Sequence, residues 1–281
     1  MEKVINLGIP HVAEQIFESI NTQVLFNFMD VSETWKVLAE NVLLKRWKGK
    51  MFEACKSGET KVVELLLGNF TFEENELNLK DANGMTGFMW ACRHGVHDIV
   101  KLLLDHFNKI NLNARNDAGW TAFILACCNR HKDVVQLLMD YSDKIELNAK
   151  DIHGWTAWMF VCFKGLMDVV QLLLDHSDKI ELNAKNNFGM SVFMIACVEG
   201  RKDIVELLLD HSEKIDLNSR DDAGDSAFMI TCDEGHKDIV ELLLDNSDKI
   251  DTSNRPNWLL SKEMRVFIEM HELSKRNKNN L

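Results

Sequence analysis

The chain has 281 residues, of which 46% are hydrophobic and 27% charged, a composition typical of a folded protein with a sizeable core. Its formal net charge of −12 would be repelled by a phosphate backbone, so we expect no nucleic-acid partner. The sequence has neither an apolar run near the roughly 18 residues that span a membrane nor an apolar signal-peptide core at its N-terminus. We therefore expect a cytoplasmic or nuclear protein that is not secreted and does not bind a membrane.

Residues 1–48 differ from the rest of the chain and predict a small three-helix unit. Pro10 suits the first position of a helix, Asn21 or Thr22 can cap a second helix, and Ser32 can cap a third. Each predicted helix carries apolar residues at helical spacing. Because a unit of about 40 residues is marginally stable alone, and residues 43–50 leave almost no linker, we expect this unit to sit rigidly on the segment that follows.

This N-terminal segment resembles the F-box, whose pattern combines a Leu-Pro pair, an Ile-Phe pair, a leucine-bearing turn and a V-S-x-x-W-x-x-L-A block. The matching residues are Ile9, Pro10, Ile16, Phe17, Leu25, Val31, Ser32 and Trp35. Trp47 lies later than the closing tryptophan of the pattern. The resemblance implies that the matching residues bind the Skp adaptor of a cullin-RING ubiquitin ligase. The alternative interpretation is a helical cap for the repeats that follow.

A period of 35 residues organises the chain from residue 81 to residue 255. Five units begin at Asp81, Asn116, Asp151, Asn186 and Asp221. Each unit has a glycine turn, a Thr or Ser where a helix N-cap belongs, a short apolar helix, a second turn and a second helix rich in leucine. A glycine in the left-handed conformation should end the first helix. One unit cannot bury its apolar faces alone, so the period predicts an all-α stack of repeats.

The second unit departs from this pattern, because Arg130 occupies the position of the helix-ending glycine. A side chain in the left-handed region is strained, so we expect either a strain of about 1 kcal/mol or a shifted turn at this point.

The repeat resembles the ankyrin repeat, D-x-x-G-x-T-P-L-H-x-A-A-x-x-G-H-x-x-V-V-x-L-L-L. The T-P-L-H tetrapeptide is replaced by TGFM, TAFI, TAWM, SVFM and SAFM, and the period is 35 rather than 33. The resemblance implies an ankyrin-repeat solenoid, with residues 49–80 as an N-terminal capping half repeat. Residues 256–281 should form a C-terminal capping helix and tail, with Met264, Phe267, Ile268 and Leu273 on the apolar side of the helix.

Five of the seven cysteines recur every 35 residues at one position of the repeat. Packed helices stand about 8–10 Å apart, whereas a disulfide requires Cα atoms within about 7 Å. We therefore expect buried, reduced thiols rather than a disulfide framework.

The ankyrin resemblance also indicates where a partner binds, because binding side chains in this family come from the turn tips and the exposed face of the first helix. At these positions the middle repeats carry large apolar residues and the fifth repeat carries acidic ones. The predicted partner-binding residues are Trp120, Ile152, Trp155, Phe163, Phe188, Met190, Asp222, Asp225, Asp233 and Glu234. We expect the apolar members to form one contiguous patch on the concave face. The alternative is that their rings fold onto neighbouring turns and stabilise the stack.

The sequence contains neither a glycine-rich phosphate loop nor a nucleophile elbow. Its histidines and cysteines do not supply four convergent metal ligands. We therefore expect no enzymatic activity, no cofactor and no metal. The favoured hypothesis is a substrate-recognition subunit of an SCF-type ubiquitin ligase, monomeric outside its complex, with Skp and cullin as partners. The alternative is an ankyrin scaffold or binding protein without a role in ubiquitination.

Overall fold

The computed structural model describes residues 10–68, 77–252 and 261–279. These residues form α-helices joined by turns, with one isolated β-bridge between Arg220 and Ser226, which confirms the predicted all-α fold. The chain divides into two compact units, Met1–Asp117 and Ala118–Leu281. In the described ranges, no helix is both long and apolar enough to cross a membrane.

The helices of the first unit are α1 (Pro10–Ser19), α2 (Thr22–Met29), α3 (Glu33–Trp47), α4 (Met51–Ser57), α5 (Thr60–Gly68), α6 (Gly87–His94) and α7 (His97–Asp105). Those of the second are α8 (Ala122–Cys128), α9 (Lys132–Asp140), α10 (Ala157–Lys164), α11 (Met167–Asp175), α12 (Val192–Val198), α13 (Lys202–Asp210), α14 (Ala227–Glu234), α15 (Lys237–Asp245) and α16 (Lys262–Asn279).

An aromatic cluster forms the core of α1–α3. The ring centroids of Phe17, Phe28 and Trp35 lie 5.0–5.6 Å from one another, within the range in which aromatic pairs attract. Asn21 caps α2 and Ser32 caps α3, each by accepting a hydrogen bond from the backbone N–H three residues later. The three predicted helices and both predicted caps are therefore confirmed.

The guanidinium of Arg46 joins α3 to the end of α1. It donates to the carbonyl oxygens of Phe17, Glu18 and Ile20 at 2.8–3.4 Å. Carbonyl groups at the end of a helix lack partners within the helix, and this one side chain donates to three carbonyl groups at and just beyond the end of α1. The same helix α3 packs against α5, so the N-terminal helices contact the first helix pair of the repeats directly.

The first helix of each repeat begins at a capped hydroxyl residue, as predicted. In every case the side-chain oxygen accepts a hydrogen bond of 3.3–3.5 Å from the backbone N–H three residues later. These N-caps are Thr86, Thr121, Thr156, Ser191 and Ser226.

The residue that begins the repeat holds the turn before the N-cap, as the third repeat shows. Asp151 Oδ1 accepts hydrogen bonds from the backbone N–H groups of His153 at 2.9 Å and Trp155 at 2.8 Å. Gly154 in the same turn has a φ of +78°, and a Cβ there would lie 2.7 Å from the backbone nitrogen of Asn187. The turn therefore requires glycine both for its conformation and for the close approach of the next repeat.

A second set of hydrogen bonds, here called the asparagine staple, joins neighbouring repeats in the long loop. Asn148 Nδ2 donates to the carbonyl oxygen of Lys179 at 3.0 Å, and Asn148 Oδ1 accepts from the backbone N–H of Glu181 at 2.8 Å. The same pair of bonds recurs at three other asparagines, which are Asn78, Asn183 and Asn218. Each staple fixes one loop to the next with two bonds, so the loops that it joins within one unit keep the same register.

The seven cysteines are free and buried, as predicted. Burial raises the pKa of the Cys55, Cys128 and Cys197 thiols to about 12, which keeps them protonated and chemically inert near neutral pH.

The closing helix α16 packs against α15 through Met264 and Ile268, which are buried. The prediction that Leu273 faces inward is wrong, because its side chain is exposed. On the side of α16 that faces α15, the residue after Ile268 is instead the half-buried His271. Its Nε2 lies 3.1 Å from Asp245 Oδ1. Lys275 then donates to the carbonyl oxygen of Leu244 at 3.0 Å. This end of α16 carries polar side chains because it faces the last carbonyl groups of α15, which have no partner within their own helix. The start of the predicted cap, residues 256–260, lies outside the described residues.

Arg130 has a φ of +62°, the only positive φ among the described non-glycine residues, so the turn keeps the left-handed conformation and is not shifted. Its Nε donates to both carboxylate oxygens of Asp168, at 3.0 and 3.1 Å. Burial of Asp168 acts against its ionisation, but the hydrogen bond and charge of Arg130 prevail and lower the pKa of that carboxyl. The ion pair thus partly offsets the strain of the left-handed turn.

We predict that Arg130→Gly raises the free energy of unfolding by about 1 kcal/mol in an Asp168→Asn background, because glycine removes the strain. In the wild-type background the gain should be smaller, since an exposed ion pair worth about 0–1 kcal/mol is lost as well. Urea unfolding of the four proteins measures both values. Destabilisation by Arg130→Gly in the Asp168→Asn background would show that the turn is not strained.

Candidate protein-binding groove

A groove of about 360 Å³ lies within the second unit, between the turn tips of the second and third repeats. It is lined mostly by apolar side chains, and its lining consists of Ala118, Trp120, Asp151, Ile152, His153, Trp155, Phe160 and Phe163. We call this the aromatic groove.

Two kinds of local structure bring these side chains together. Trp120 and Trp155 each precede an N-cap threonine, so the tight turns fix their backbones. Phe160 and Phe163 lie three residues apart on α10, and residues at that spacing share one face of a helix. The turn tips and the first helix therefore contribute rings to the same groove.

The four rings form a connected chain in the order Trp120, Phe160, Trp155 and Phe163. The Phe160 centroid lies 5.0 Å from that of Trp120 and 5.2 Å from that of Trp155. The Trp155 and Phe163 rings meet edge to face at 5.4 Å and 87°. Such pairs contribute about 0.5–1.5 kcal/mol each beyond their burial, so the rings hold each other in place without a ligand.

The cluster still presents a large apolar surface to solvent. Ile152 is 59% exposed and Phe163 is 36% exposed, while Trp120, Trp155 and Phe160 are half-buried. Single exposed apolar residues are common, but a contiguous apolar patch usually marks an interaction site.

Asp151 is the one acidic residue that lines the aromatic groove. Its Oδ1 is occupied by the turn, and within the described residues its Oδ2 accepts no hydrogen bond. The lysine next to the cluster, Lys164, does not line the groove, and its ammonium group donates to the carbonyl oxygen of Cys128 at 3.1 Å. The groove therefore combines the π faces of aromatic rings with a carboxylate whose second oxygen accepts no hydrogen bond within the described residues.

Four of the predicted partner-binding residues line the aromatic groove, and they are Trp120, Ile152, Trp155 and Phe163. Phe188 and Met190 do not, although Phe188 is 61% exposed. They belong to the turn of the fourth repeat, the next turn along the stack, so the groove contains only part of the predicted patch.

Sequence reasoning missed Phe160, whose ring joins those of Trp120 and Trp155. The equivalent residues of the neighbouring repeats, Leu125 and Ile195, are buried, so the repeat pattern assigns this position to the core. A phenylalanine ring is larger than the side chain of leucine or isoleucine. This difference in size was the one sign in the sequence that Phe160 extends beyond the core.

The acidic residues predicted in the fifth repeat remain accessible to a partner. Asp222, Asp233 and Glu234 are exposed, and Asp225 is half-buried. They supply negative charge in the same unit as the aromatic groove, which suits long-range attraction of a basic partner.

The predicted adaptor-binding residues differ in how far their side chains are exposed. Ile16 is 39% exposed and Val31 is 59% exposed. Phe17, Leu25 and Trp35 are buried, so they support the fold of the N-terminal helices and cannot themselves contact a partner. Among the rest, Ser32 caps α3, Pro10 begins α1, and Ile9 lies outside the described residues.

The family model described as Ankyrin repeats (3 copies) matches residues 51–151 and 144–221, which together make up more than half of the chain. The chain therefore belongs to the ankyrin-repeat family, whose members serve as protein-binding modules. No curated protein matches the sequence significantly.

Proposed function

We propose that this chain is the substrate-recognition subunit of an SCF-type (Skp/cullin/F-box) ubiquitin ligase. One observation carries the proposal: a three-helix unit that resembles the F-box, with its own aromatic core, precedes repeats that carry a preformed aromatic groove. The N-terminal unit would dock on the Skp adaptor and so reach the cullin, and the groove would hold the substrate.

The N-terminal helices offer apolar surface for an adaptor. Besides Ile16 and Val31, the side chains of Val24 and Val37 are exposed. This unit of about 40 residues therefore exposes four aliphatic side chains. Its own core does not need them, because that core is already filled by buried aromatic and aliphatic side chains. Burial of such a surface against a partner would supply the free energy of docking.

The aromatic groove suits the substrate side of this function. Tryptophan is enriched among the residues that dominate binding energy, and such residues cluster in desolvated pockets. The acidic residues of the fifth repeat would add salt-sensitive steering toward a basic stretch of the substrate.

A second candidate function is an ankyrin scaffold or binding protein without a role in ubiquitination. Two observations favour it. The helix α3 packs directly on α5, as a cap for the repeats would, and the matched family regions begin at residue 51, which leaves the N-terminal helices unassigned. Adaptor binding distinguishes the two candidates.

We predict that Ile16→Asp and Val31→Asp each weaken binding of the full chain to purified Skp adaptor by at least about tenfold, because each places a charge in an apolar contact. Both side chains are exposed, so circular dichroism and the melting temperature should not change. Val266→Asp, at an exposed valine of α16, is the matched control. Point variants are preferable to a truncation at Lys48, which would uncover the apolar face of α5. Failure of the wild-type chain to bind the adaptor favours the scaffold function.

We predict that Trp155→Ala weakens substrate binding by about 2–4 kcal/mol, because the ring can bury about 150–250 Å² against a partner and association costs reduce the gross gain. Since the ring is half-buried against Phe160 and Phe163, the free energy of unfolding should also fall, by about 1 kcal/mol. Leu273→Ala, at an exposed leucine of α16, should change neither quantity. A large loss of stability with unchanged affinity would show that Trp155 serves the stack alone.

A further inference from the structure

The first repeat contains a closed counterpart of the aromatic groove. The ring of Trp90, on α6, has the Lys56 ammonium 4.5 Å from its centroid and the Arg93 guanidinium carbon 5.2 Å away. Both distances fall within the roughly 6 Å over which a cation is attracted to an aromatic face. The indole Nε1 of Trp90 donates to Asp81 Oδ2 at 2.9 Å. Ring, carboxylate and cations thus form one intramolecular group.

Asp81 is ionised within this group. Its burial acts in the opposite direction, but hydrogen bonds from Met85, Asn83 and Trp90, together with the charge of Lys56, lower its pKa. The first repeat therefore shows how this framework holds a cation: an aromatic face lies on one side and the carboxylate that begins the repeat lies nearby.

The third repeat keeps the acceptors of this arrangement and lacks the cations. Asp151 is the counterpart of Asp81 and Phe160 that of Trp90, both at a distance of two repeats. The position of Arg93 is taken by Phe163. Lys56 directly follows the repeated cysteine of the preceding unit, and the residue that does so here is Cys128, a buried, protonated thiol.

The third repeat also has more aromatic surface than the first. Trp155 stands where the first repeat has Met85, and its ring contacts those of Phe160 and Phe163. Within the described residues, no lysine or arginine lies over the ring of Trp155, Phe160 or Phe163.

We infer that the aromatic groove takes a basic side chain, lysine or arginine, from a segment of the protein partner. The inference rests on the proposal that this groove is the partner-binding site, and it names the chemistry recognised there. The π faces and the carboxylate of Asp151 both attract a cation. A purely apolar occupant would instead remove that carboxylate from water without giving it a partner.

A peptide-display selection on the full chain, from a random library, tests the inference. The selected peptides that depend on the groove are those that bind wild-type protein and fail to bind Trp155→Ala. We expect these peptides to share a lysine or arginine. Replacing it with its neutral isostere, acetyl-lysine or citrulline, should weaken binding to wild-type protein by at least about tenfold.

Asp151→Asn is the matched variant for the carboxylate. Asn186 begins the fourth repeat and accepts the same pair of backbone hydrogen bonds, from Phe188 and Met190 at 3.0 Å, so asparagine preserves the turn. We expect Asp151→Asn to weaken the basic peptides about three- to tenfold and to leave the neutral isosteres unaffected, while the circular dichroism spectrum shows that the fold is kept.

The outcomes separate the two proposals. Groove-dependent peptides without a basic residue, or peptides whose affinity survives both the isostere and Asp151→Asn, would overturn the cationic ligand and leave the groove as the binding site. Selected peptides that all bind Trp155→Ala as well as wild-type protein would instead remove the groove from the proposed function.

Discussion

The asparagine staple is the constraint on which the rest of the fold depends. Asn148 uses both ends of its amide to join its loop to the next one, through Lys179 and Glu181. A hydrogen bond contributes about 0.5–1.5 kcal/mol net, and each staple provides two such bonds. Because the staple recurs along the chain, it fixes the register in which successive turn tips approach each other, and the approach at Gly154 allows no side chain in between.

Because framework residues maintain the fold, the aromatic site of one repeat can be open to a partner while that of another repeat is closed by its own side chains. Framework residues such as Thr156 and Asp151 form the cap and turn that every repeat needs, so they leave the tips free to vary without loss of the fold. In the first repeat, Lys56 fills the space over an aromatic ring from within the chain. In the third repeat, neutral residues replace the cations and Trp155 adds a ring, so an equivalent aromatic and acidic surface remains open to solvent.

The sequence predicted those features that depend on the backbone of a single repeat. Caps, glycine turns and the strained Arg130 follow from short-range rules that apply wherever the repeat occurs. The staple was not predicted, because Asn148 bonds to residues 31 and 33 positions away. Phe160 was missed because the equivalent residues of the neighbouring repeats, Leu125 and Ile195, are buried. In the N-terminal unit the motif predicted the helices, but it did not distinguish the buried Phe17 from the exposed Val31, since a family pattern mixes core and contact residues.

A structure of the full chain bound to a groove-dependent peptide tests the central claim most directly, namely that the aromatic groove of the third repeat is where this protein holds its partner. The account predicts that a basic side chain of the peptide lies against the Trp155 and Phe160 rings, with its charged group within hydrogen-bond distance of Asp151 Oδ2. A peptide bound elsewhere on the chain, with the groove filled only by solvent, would contradict it.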